Sequence, residues 1–222
     1  MSILTSVSKR PIRAALAVML AAALPVSAIS APEPLAAQTA ATDFDRAVAA
    51  LRAISTMKAD FTQTDRQGQT YSGTLTLKRP GKIRFDYGKS ADMLIVSNGK
   101  SLYMVDYAVK QVERWPIKNS PLGALLDPAR DVKRYGKMVD NGTEGVVGIE
   151  VRDPKRPEFG VMTLIFMRDA SAPGGMKLTH WVAVDAQNHR TTVRLKNHRY
   201  GVSVADSTFS FRDPRRSSRR PG

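Results

Sequence analysis

The stretch "TLTLKRPGKIRFDYG", residues 74–88, decides the fold class of this 222-residue chain. Leucines alternate with threonines before Arg79-Pro80-Gly81, and apolar residues alternate with charged ones after it. A period of two residues is typical of β-strands that bury one face. Proline presets φ and glycine tolerates the left-handed conformation, so Pro-Gly predicts a turn between two antiparallel strands. The turn itself gives no reason for an arginine at position 79.

Similar strand patterns recur along most of the chain. We predict eleven strands, at residues 58–64, 70–78, 82–87, 93–96, 101–106, 111–115, 145–151, 161–168, 177–185, 191–198 and 208–212. Asn98-Gly99 and Asn141-Gly142 are strong hairpin signals. Short connections between consecutive strands indicate one large antiparallel sheet. The segment "VMTLIFM" at 161–167 is apolar at almost every position, which predicts that both of its faces are buried.

Two segments have a helical pattern. Thr42 is placed to cap the first helix, with Asp45 at its N3 position. Its apolar stripe is formed by Phe44, Ala47, Val48, Leu51 and Ile54. Ser120 and Pro121 begin the second, shorter helix, whose apolar side carries Leu122, Leu125 and Leu126. These helices would cover one face of the sheet, either over a fully packed core or over a cavity for an apolar ligand.

Both ends of the chain differ from the predicted domain. Residues 1–31 have the basic, apolar and small-residue regions of a cleaved signal peptide, with an uncleaved anchor as the alternative. An Ala/Pro linker at 31–41 precedes the first helix. We therefore expect an exported protein with one mature domain at 32–212. Residues 213–222, which contain "RRSSRR", are expected to form a disordered basic tail.

Composition limits the classes of function. The chain contains no cysteine, which excludes disulfides, thiol catalysis and lipid attachment at an N-terminal cysteine. Its net charge of +14 favours anionic partners, namely nucleic acid, an anionic membrane surface or acidic proteins. Export makes nucleic acid the least available of these, and no nucleic-acid partner is predicted. Solvated strand faces and a basic tail would explain the same charge without any partner.

Catalytic and metal-binding motifs are missing from the sequence. His180, His189 and His198 are each nine residues apart, which is no metal-ligand spacing, and no phosphate-binding loop or nucleophile elbow occurs. Asp43 and Asp45 would lie at a helix N-terminus, where negative charge is favourable without any catalytic role. We predict a binding protein without metal or cofactor. A hydrolase acting on envelope lipids, with Asp60 or His180 as its base, remains the alternative.

Four motifs in this order resemble the periplasmic outer-membrane lipoprotein carriers of the LolA family. They are "FTQ" at 61–63, G-x-L-x-L-K-R-P-G-K-x-R-x-x-Y at 73–87, "IVSNGKSLYMVD" at 95–106 and "PLGALLD" at 121–127. The resemblance implies a mainly β protein with a few helices: an incomplete antiparallel barrel of about eleven strands, covered by a lid of short helices over an apolar cavity. It also implies a monomeric periplasmic chaperone that receives lipoproteins from an inner-membrane ABC transporter and delivers them to the outer-membrane receptor LolB.

The resemblance also suggests site residues. The predicted acyl-chain cavity is lined by Leu75, Leu77, Ile83, Phe85, Leu94 and Val96. The predicted lid side chains are Phe44, Val48, Leu51, Leu122, Leu125 and Leu126. In the family, the arginine matching Arg79 hydrogen-bonds to the lid and holds the empty carrier closed; a solvated arginine at a hairpin tip is the alternative.

Two features depart from the family pattern. Ile83 and Phe85 stand where the family commonly has Phe and Trp. The chain ends in a basic tail soon after "FSFRDP", where some carriers continue into a further strand that is linked to keeping them off the membrane. Delivery without a dedicated receptor is therefore the alternative to delivery through LolB. A rival within the same fold is an envelope-stress sensor that binds lipid or lipoprotein.

Overall fold

The computed structural model describes residues 35–117, 126 and 131–215. The predicted signal peptide at 1–31, the lid residues Leu122 and Leu125, and the tail beyond residue 215 lie outside these residues and stay predictions. None of the described helices is long and apolar enough to cross a membrane.

The described residues form one sheet of eleven antiparallel strands with one long helix. The strands are β1 (Thr56–Thr64), β2 (Thr70–Lys78), β3 (Lys82–Asp86), β4 (Met93–Asn98), β5 (Ser101–Asp106), β6 (Gln111–Pro116), β7 (Gly136–Val139), β8 (Val146–Val151), β9 (Val161–Arg168), β10 (Met176–Val184) and β11 (Arg190–Tyr200). The helices are α1 (Leu35–Ala53) and α2 (Asp131–Tyr135). The spatial order is β6-β5-β4-β3-β2-β1-β11-β10-β9-β8-β7, so β6 and β7 are the open edges. This open sheet is the predicted incomplete antiparallel barrel.

The opening stretch of sequence forms the β2–β3 hairpin. Leu77 pairs with Ile83 and Leu75 with Phe85, so these four side chains share one face of the sheet. Gly81 adopts φ +68°, and a Cβ there would lie 3.2 Å from the Cα of Gly99 in the next hairpin. The prediction from alternation and Pro-Gly is therefore confirmed.

The face of the sheet that carries these four side chains is covered by α1. Helix residues Ala47, Val48 and Leu51 are buried against it together with Ile54, which directly follows the helix, as the predicted stripe requires. The ring centroid of Phe61 lies 5.4 Å from that of Phe85 and 5.0 Å from that of Tyr87, and Phe85 lies 5.9 Å from Trp181. These edge-on contacts make a packed aromatic centre beneath the helix.

The opposite side of the sheet, which we call the outer face, has a smaller apolar cluster. Leu94, Val96 and Val105 contact Val204 and Phe209 of the C-terminal segment there. The strand predicted at 208–212 is wrong, because Asp206–Phe209 forms a 3-10 turn that packs across β3 and β4. Alternating apolar residues in this segment face the outer cluster without joining the sheet, which a sequence pattern does not distinguish from a strand.

Two further boundaries differ from the sequence prediction. Helix α1 begins at Leu35, so Thr42 lies inside it and the predicted capping box is wrong. The Ala-rich residues ahead of Thr42 have high helix propensity, which explains the extension into the predicted linker. Strand β7 (Gly136–Val139) was not predicted because it is short, although the Asn141-Gly142 turn that joins it to β8 was predicted.

The predicted burial of both faces of β9 is also wrong. Met162, Leu164 and Phe166 are buried beneath α1, whereas Val161 and Ile165 on the outer face are only half-buried. Met167 on the same face is 47% exposed.

Candidate functional site

Arg79 joins three parts of the chain at the tip of the β2–β3 hairpin. Its guanidinium donates from Nη2 to the Leu51 carbonyl at 2.6 Å, from Nε to the Ile54 carbonyl at 3.0 Å and from Nη1 to the Leu126 carbonyl at 3.0 Å. Its main-chain N–H donates to the Ser55 carbonyl at 2.9 Å. A rigid fork of five donors suits several carbonyls at once, which a lysine could not match.

The position of these carbonyls explains why a cation is favourable there. Leu51 lies in the last turn of α1 and Ile54 directly follows the helix. The last carbonyls of a helix lack intrahelical partners and carry partial negative charge. Arg79 therefore satisfies the C-terminal end of α1 and links it to the hairpin and to Leu126.

A second attachment of α1 was missed by sequence reasoning. Nη2 of Arg168, at the end of β9, donates to both carboxylate oxygens of Asp43, at 2.9 and 2.6 Å. The Asp43 side chain is buried, and the residue lies within α1. The prediction that Asp43 lies at the helix N-terminus is therefore wrong. The two residues are 125 positions apart and nothing local in the sequence connects them.

A third attachment lies at the turn before β10. Gly174 has φ +69°, and a Cβ there would lie 2.7 Å from the Cα of Ala50. Only a glycine permits the helix and the turn to approach so closely. Asp43 in the middle of α1 and Ala50 in its last turn thus fix the helix against the end of β9 and the turn before β10, and Arg79 binds the carbonyls at its C-terminal end.

Most predicted lining and lid residues lie in the cluster beneath α1. Leu75, Leu77, Ile83, Phe85, Val48, Leu51 and Leu126 are all buried there, with Phe44 packed against them and partly buried. Leu94 and Val96 are not among them: they face the outer cluster. The reason is register, since Leu94 pairs with Asp86 and Val96 with Arg84, whereas Ile95 pairs with Phe85 and shares its face. Ile95 and Met93, both partly buried against this cluster, are therefore the lining residues of β4 that sequence reasoning missed.

The strands of the second half of the sheet supply the rest of the apolar surface beneath α1. The buried side chains of these strands include Leu164, Phe166, Leu178, Trp181 and Leu195. None of them was predicted from the sequence to line the cavity. On β9 and β11 these side chains follow a period of two, which would have identified them once the covered face was known. On β10 a bulge between Leu178 and His180 breaks the period, so alternation alone would not have placed both Leu178 and Trp181 on this face.

Two tyrosines that pack against this surface have neutral hydroxyls. The Tyr87 hydroxyl donates to Oε1 of Gln63 at 2.8 Å, and burial raises the pKa of Tyr87. Burial also raises the pKa of Tyr200 to about 12, and its hydroxyl has no hydrogen-bond partner among the described residues. The site is thus suited to apolar ligands and carries no charge at neutral pH on these groups.

The two candidate bases lie elsewhere. Asp60 pairs with Lys196 and accepts a hydrogen bond from Nδ2 of Asn197 at 2.7 Å on the outer face. His180 pairs with Arg194 on the same face, and burial together with the Arg194 charge lowers its pKa. Within the described part of the chain, no group of acidic, histidine or cysteine residues is arranged to hold a metal ion.

A surface pocket of about 500 Å³ opens beside β3 and β4. Its wall consists of Arg84, Asp86, Gly88, Lys89, Asp92, Met93, Leu94 and Tyr107. Charges of both signs line it, so it does not resemble the predicted acyl-chain cavity, with which it shares only Leu94.

An open antiparallel sheet with a helix fixed over its apolar face defines the class of protein: a β-sheet binding protein with a helical cover. The family model described as "Outer membrane lipoprotein carrier protein LolA" matches residues 52–212. The chain belongs to this family of lipoprotein carriers, which confirms the resemblance seen in the sequence.

Individual relatives cover most of the chain. The outer-membrane lipoprotein carrier protein of Chromobacterium violaceum is 29% identical over 194 residues, spanning 82% of this chain and 90% of the relative. That of Methylococcus capsulatus is 29% identical over 188 residues, spanning 81% and 88%. A solved LolA superfamily protein from Nitrosomonas europaea is 11% identical, with a TM-score of 0.45, and covers 78% of this chain and 97% of that one.

Proposed function

We propose that this protein is a periplasmic chaperone that shields the acyl chains of lipoproteins on their way from the inner to the outer membrane. The observation that carries the proposal is the continuous apolar surface between the sheet and α1, in a chain of the lipoprotein carrier family. Each exposed methylene costs about 0.8 kcal/mol, so three long acyl chains in water would cost some tens of kcal/mol. A carrier has to offset most of that cost and still release its cargo.

Among the described residues, the side chains of the apolar surface pack against one another and against α1. Phe61, Phe85 and Trp181 contact one another beneath α1, and Leu51 and Leu126 are buried against the same cluster. An acyl chain can therefore enter only when the cover moves and these side chains separate. We therefore assign the described packing to the empty carrier.

We propose that Arg79 is the latch of this closed form. The guanidinium hydrogen bonds to Leu51, Ile54 and Leu126 join the hairpin to the C-terminal end of α1 and to Leu126, and they break when these parts separate. The Asp43–Arg168 ion pair and the close contact of Gly174 with Ala50 hold α1, from its middle to its last turn, on the end of β9 and the turn before β10. Opening is therefore expected to separate the hairpin tip and Leu126 from each other and from α1, with α1 staying in place.

The proposed partners follow from the family function. An inner-membrane ABC transporter would load the carrier with lipoprotein, and the receptor LolB, where it exists, would unload it. The carrier itself would bind no nucleotide or cofactor and catalyse no reaction, because the transporter supplies the energy. It is expected to act as a monomer.

Native mass spectrometry tests the function. The full chain, expressed with its own N-terminus in a Gram-negative host and isolated from the periplasm, is expected to carry triacylated lipoprotein in a one-to-one complex. A lipoprotein with its lipidated cysteine replaced by serine is the control and should not co-purify. Turnover of phospholipid without any bound lipoprotein would contradict the proposal and favour the hydrolase alternative.

A further inference from the structure

The outer face of strands β8 to β10 carries apolar side chains that the proposed function does not use. They form what we call the outer strip: Val146, Val161, Ile165, Met167 and Val182. The strand register places them together. Met167 on β9 pairs with Val146 on β8. Thr163, which lies between Val161 and Ile165 on the same face of β9, pairs with Val182 on β10. Four of the five are half-buried and Met167 is 47% exposed. Helix α1 packs on the opposite face, and the C-terminal 3-10 turn packs on β3 and β4.

A row of cations borders the outer strip on β1 and β11. This cationic row consists of Lys58, Arg194, Lys196 and Arg199. Lys58 pairs directly with Arg199 across the two strands, and like charges in that position are unfavourable. Arg194 lies opposite His180, whose pKa it helps to lower. Asp60 lies opposite Lys196 and is bound by Asn197, so the row with this carboxylate included carries a net charge of +3.

These cations differ from others on the same face of the sheet. Lys78 and Lys82 form ion pairs with Asp206 at 2.7 and 3.0 Å, and Arg84 forms one with Asp86 at 2.7 Å. None of the four members of the cationic row has a hydrogen-bond or ion-pair partner among the described residues. The unpaired charge is therefore concentrated beside the outer strip.

We propose that the outer strip and the cationic row together bind the surface of an anionic phospholipid bilayer. Aliphatic side chains bordered by lysine and arginine are typical of surfaces that insert shallowly between lipid headgroups. Each lysine or arginine near an anionic surface strengthens binding about fivefold. Such contact is weak and reversible, which suits a protein that acts at membranes without being anchored in one. It does not depend on acyl chains beneath α1, so the two proposals fail separately.

A bilayer fits this surface better than an acidic protein does. Protein interfaces depend on a few large anchors, mostly Trp, Tyr and Arg, in well-packed pockets. The outer strip has no aromatic residue, and its half-buried aliphatic side chains form neither a large anchor nor a deep pocket for a protein partner. A fluid headgroup layer needs only diffuse charge and shallow apolar contact.

Vesicle sedimentation tests the charge contribution. The full-length mature protein should sediment with vesicles of phosphatidylglycerol and phosphatidylcholine, and not with phosphatidylcholine alone. The triple variant Arg194→Glu, Lys196→Glu, Arg199→Glu should bind at least about 100-fold more weakly. Its matched control, with the same change in net charge, is Lys89→Glu, Lys100→Glu, Lys110→Glu, which should stay within about threefold of wild type. Circular dichroism and thermal unfolding establish that both variants are folded.

A fluorescent label tests the apolar contribution. Because the chain has no cysteine, Met167→Cys can be labelled alone with an environment-sensitive nitrobenzoxadiazole. Its emission should rise on addition of anionic vesicles. The control is Val109→Cys at the β5–β6 turn, which is 61% exposed and on the other half of the sheet, and whose emission should not change.

Three results would overturn the proposal. The first is absence of binding to anionic vesicles at low salt, which would leave an acidic protein as the occupant of the surface. The second is an equal loss of binding in both triple variants, which would reduce the effect to net charge. The third is vesicle binding with no response of the label at position 167, which would assign binding to another part of the chain.

Discussion

Replacing Arg79 with leucine removes the hydrogen bonds that connect the hairpin tip to α1 and to Leu126. A hydrogen bond to a charged group contributes about 1.5–3 kcal/mol. Losing the bond to Leu126 alone would therefore shift the balance between closed and open forms by roughly ten- to a hundredfold toward the open form. The two bonds to α1 add to this shift, although not in simple proportion, because they share one guanidinium.

Two assays measure the shift. A hydrophobic fluorescent probe should bind Arg79→Leu more tightly than wild type, since more of the apolar surface is open, and long-chain acyl groups should displace it. In cells, the variant should accept lipoprotein normally but fail to pass it on, so that loaded carrier accumulates in the periplasm. Overexpression should harm growth even when the wild-type protein is present.

Controls separate the hydrogen bonds from the charge. Arg79→Lys keeps the charge but cannot reach three carbonyls at once, so it should resemble the leucine variant in part. Lys100→Leu removes a neighbouring exposed charge and should behave like wild type. Lys78 and Arg84 are poor neutral controls, because they hold the C-terminal segment through the Val204, Thr208 and Ser210 carbonyls. Cargo release by Arg79→Leu at the wild-type rate would refute the latch, as would an equal effect of Lys100→Leu.

Two further changes test packing and charge. Phe85→Ala should lower the free energy of unfolding, measured by urea denaturation, by about 3–5 kcal/mol, because Phe85 is buried at the aromatic centre. The control Val109→Ala, at an exposed turn, should lower it by less than about 0.5 kcal/mol. Equal losses in the two variants would contradict the packing described for Phe85. Hydrogen bonds from Lys78 and Lys82 lower the pKa of Asp206, so its carboxylate stabilises the fold above its unfolded pKa of about 3.9 and loses that effect as pH falls through the lower folded pKa. The difference in melting temperature between wild type and Asp206→Asn should accordingly be present at pH 7, begin to shrink below about pH 4 and disappear as the pH falls through the lower folded pKa; a difference of unchanged size at pH 2 would contradict this.

The sequence was sufficient to predict the structure wherever the interactions that determine it are local. The hairpin around Arg79-Pro80-Gly81 follows from alternation on both sides of a turn, and its strands lie where predicted. Strand β4 shows the limit, since "MLIV" at 93–96 is apolar throughout and alternation does not reveal which residues face α1. The register with β3 decides this, and it places Ile95 beneath the helix and Leu94 outside.

Long-range contacts had no signal in the sequence. Asp43 and Arg168 meet only because β9 ends beside α1 in the folded chain. The partners of Arg79 are main-chain carbonyls, whose location no side-chain pattern reveals. The expectation that Arg79 hydrogen-bonds to the lid came from the resemblance to the carrier family, because the pattern of side chains alone did not predict it.

Photo-crosslinking with a triacylated lipopeptide that carries a diazirine on an acyl chain tests most directly whether acyl chains bind beneath α1. After loading, irradiation and proteolysis, mass spectrometry should find the label on peptides that contain Phe85 and Trp181, the buried aromatic residues of β3 and β10. Excess unlabelled lipopeptide should abolish this labelling, and Arg79→Leu should increase it. Labelling confined to the outer face, at Tyr103 or Phe211, or no specific labelling at all, would contradict the proposed carrier site.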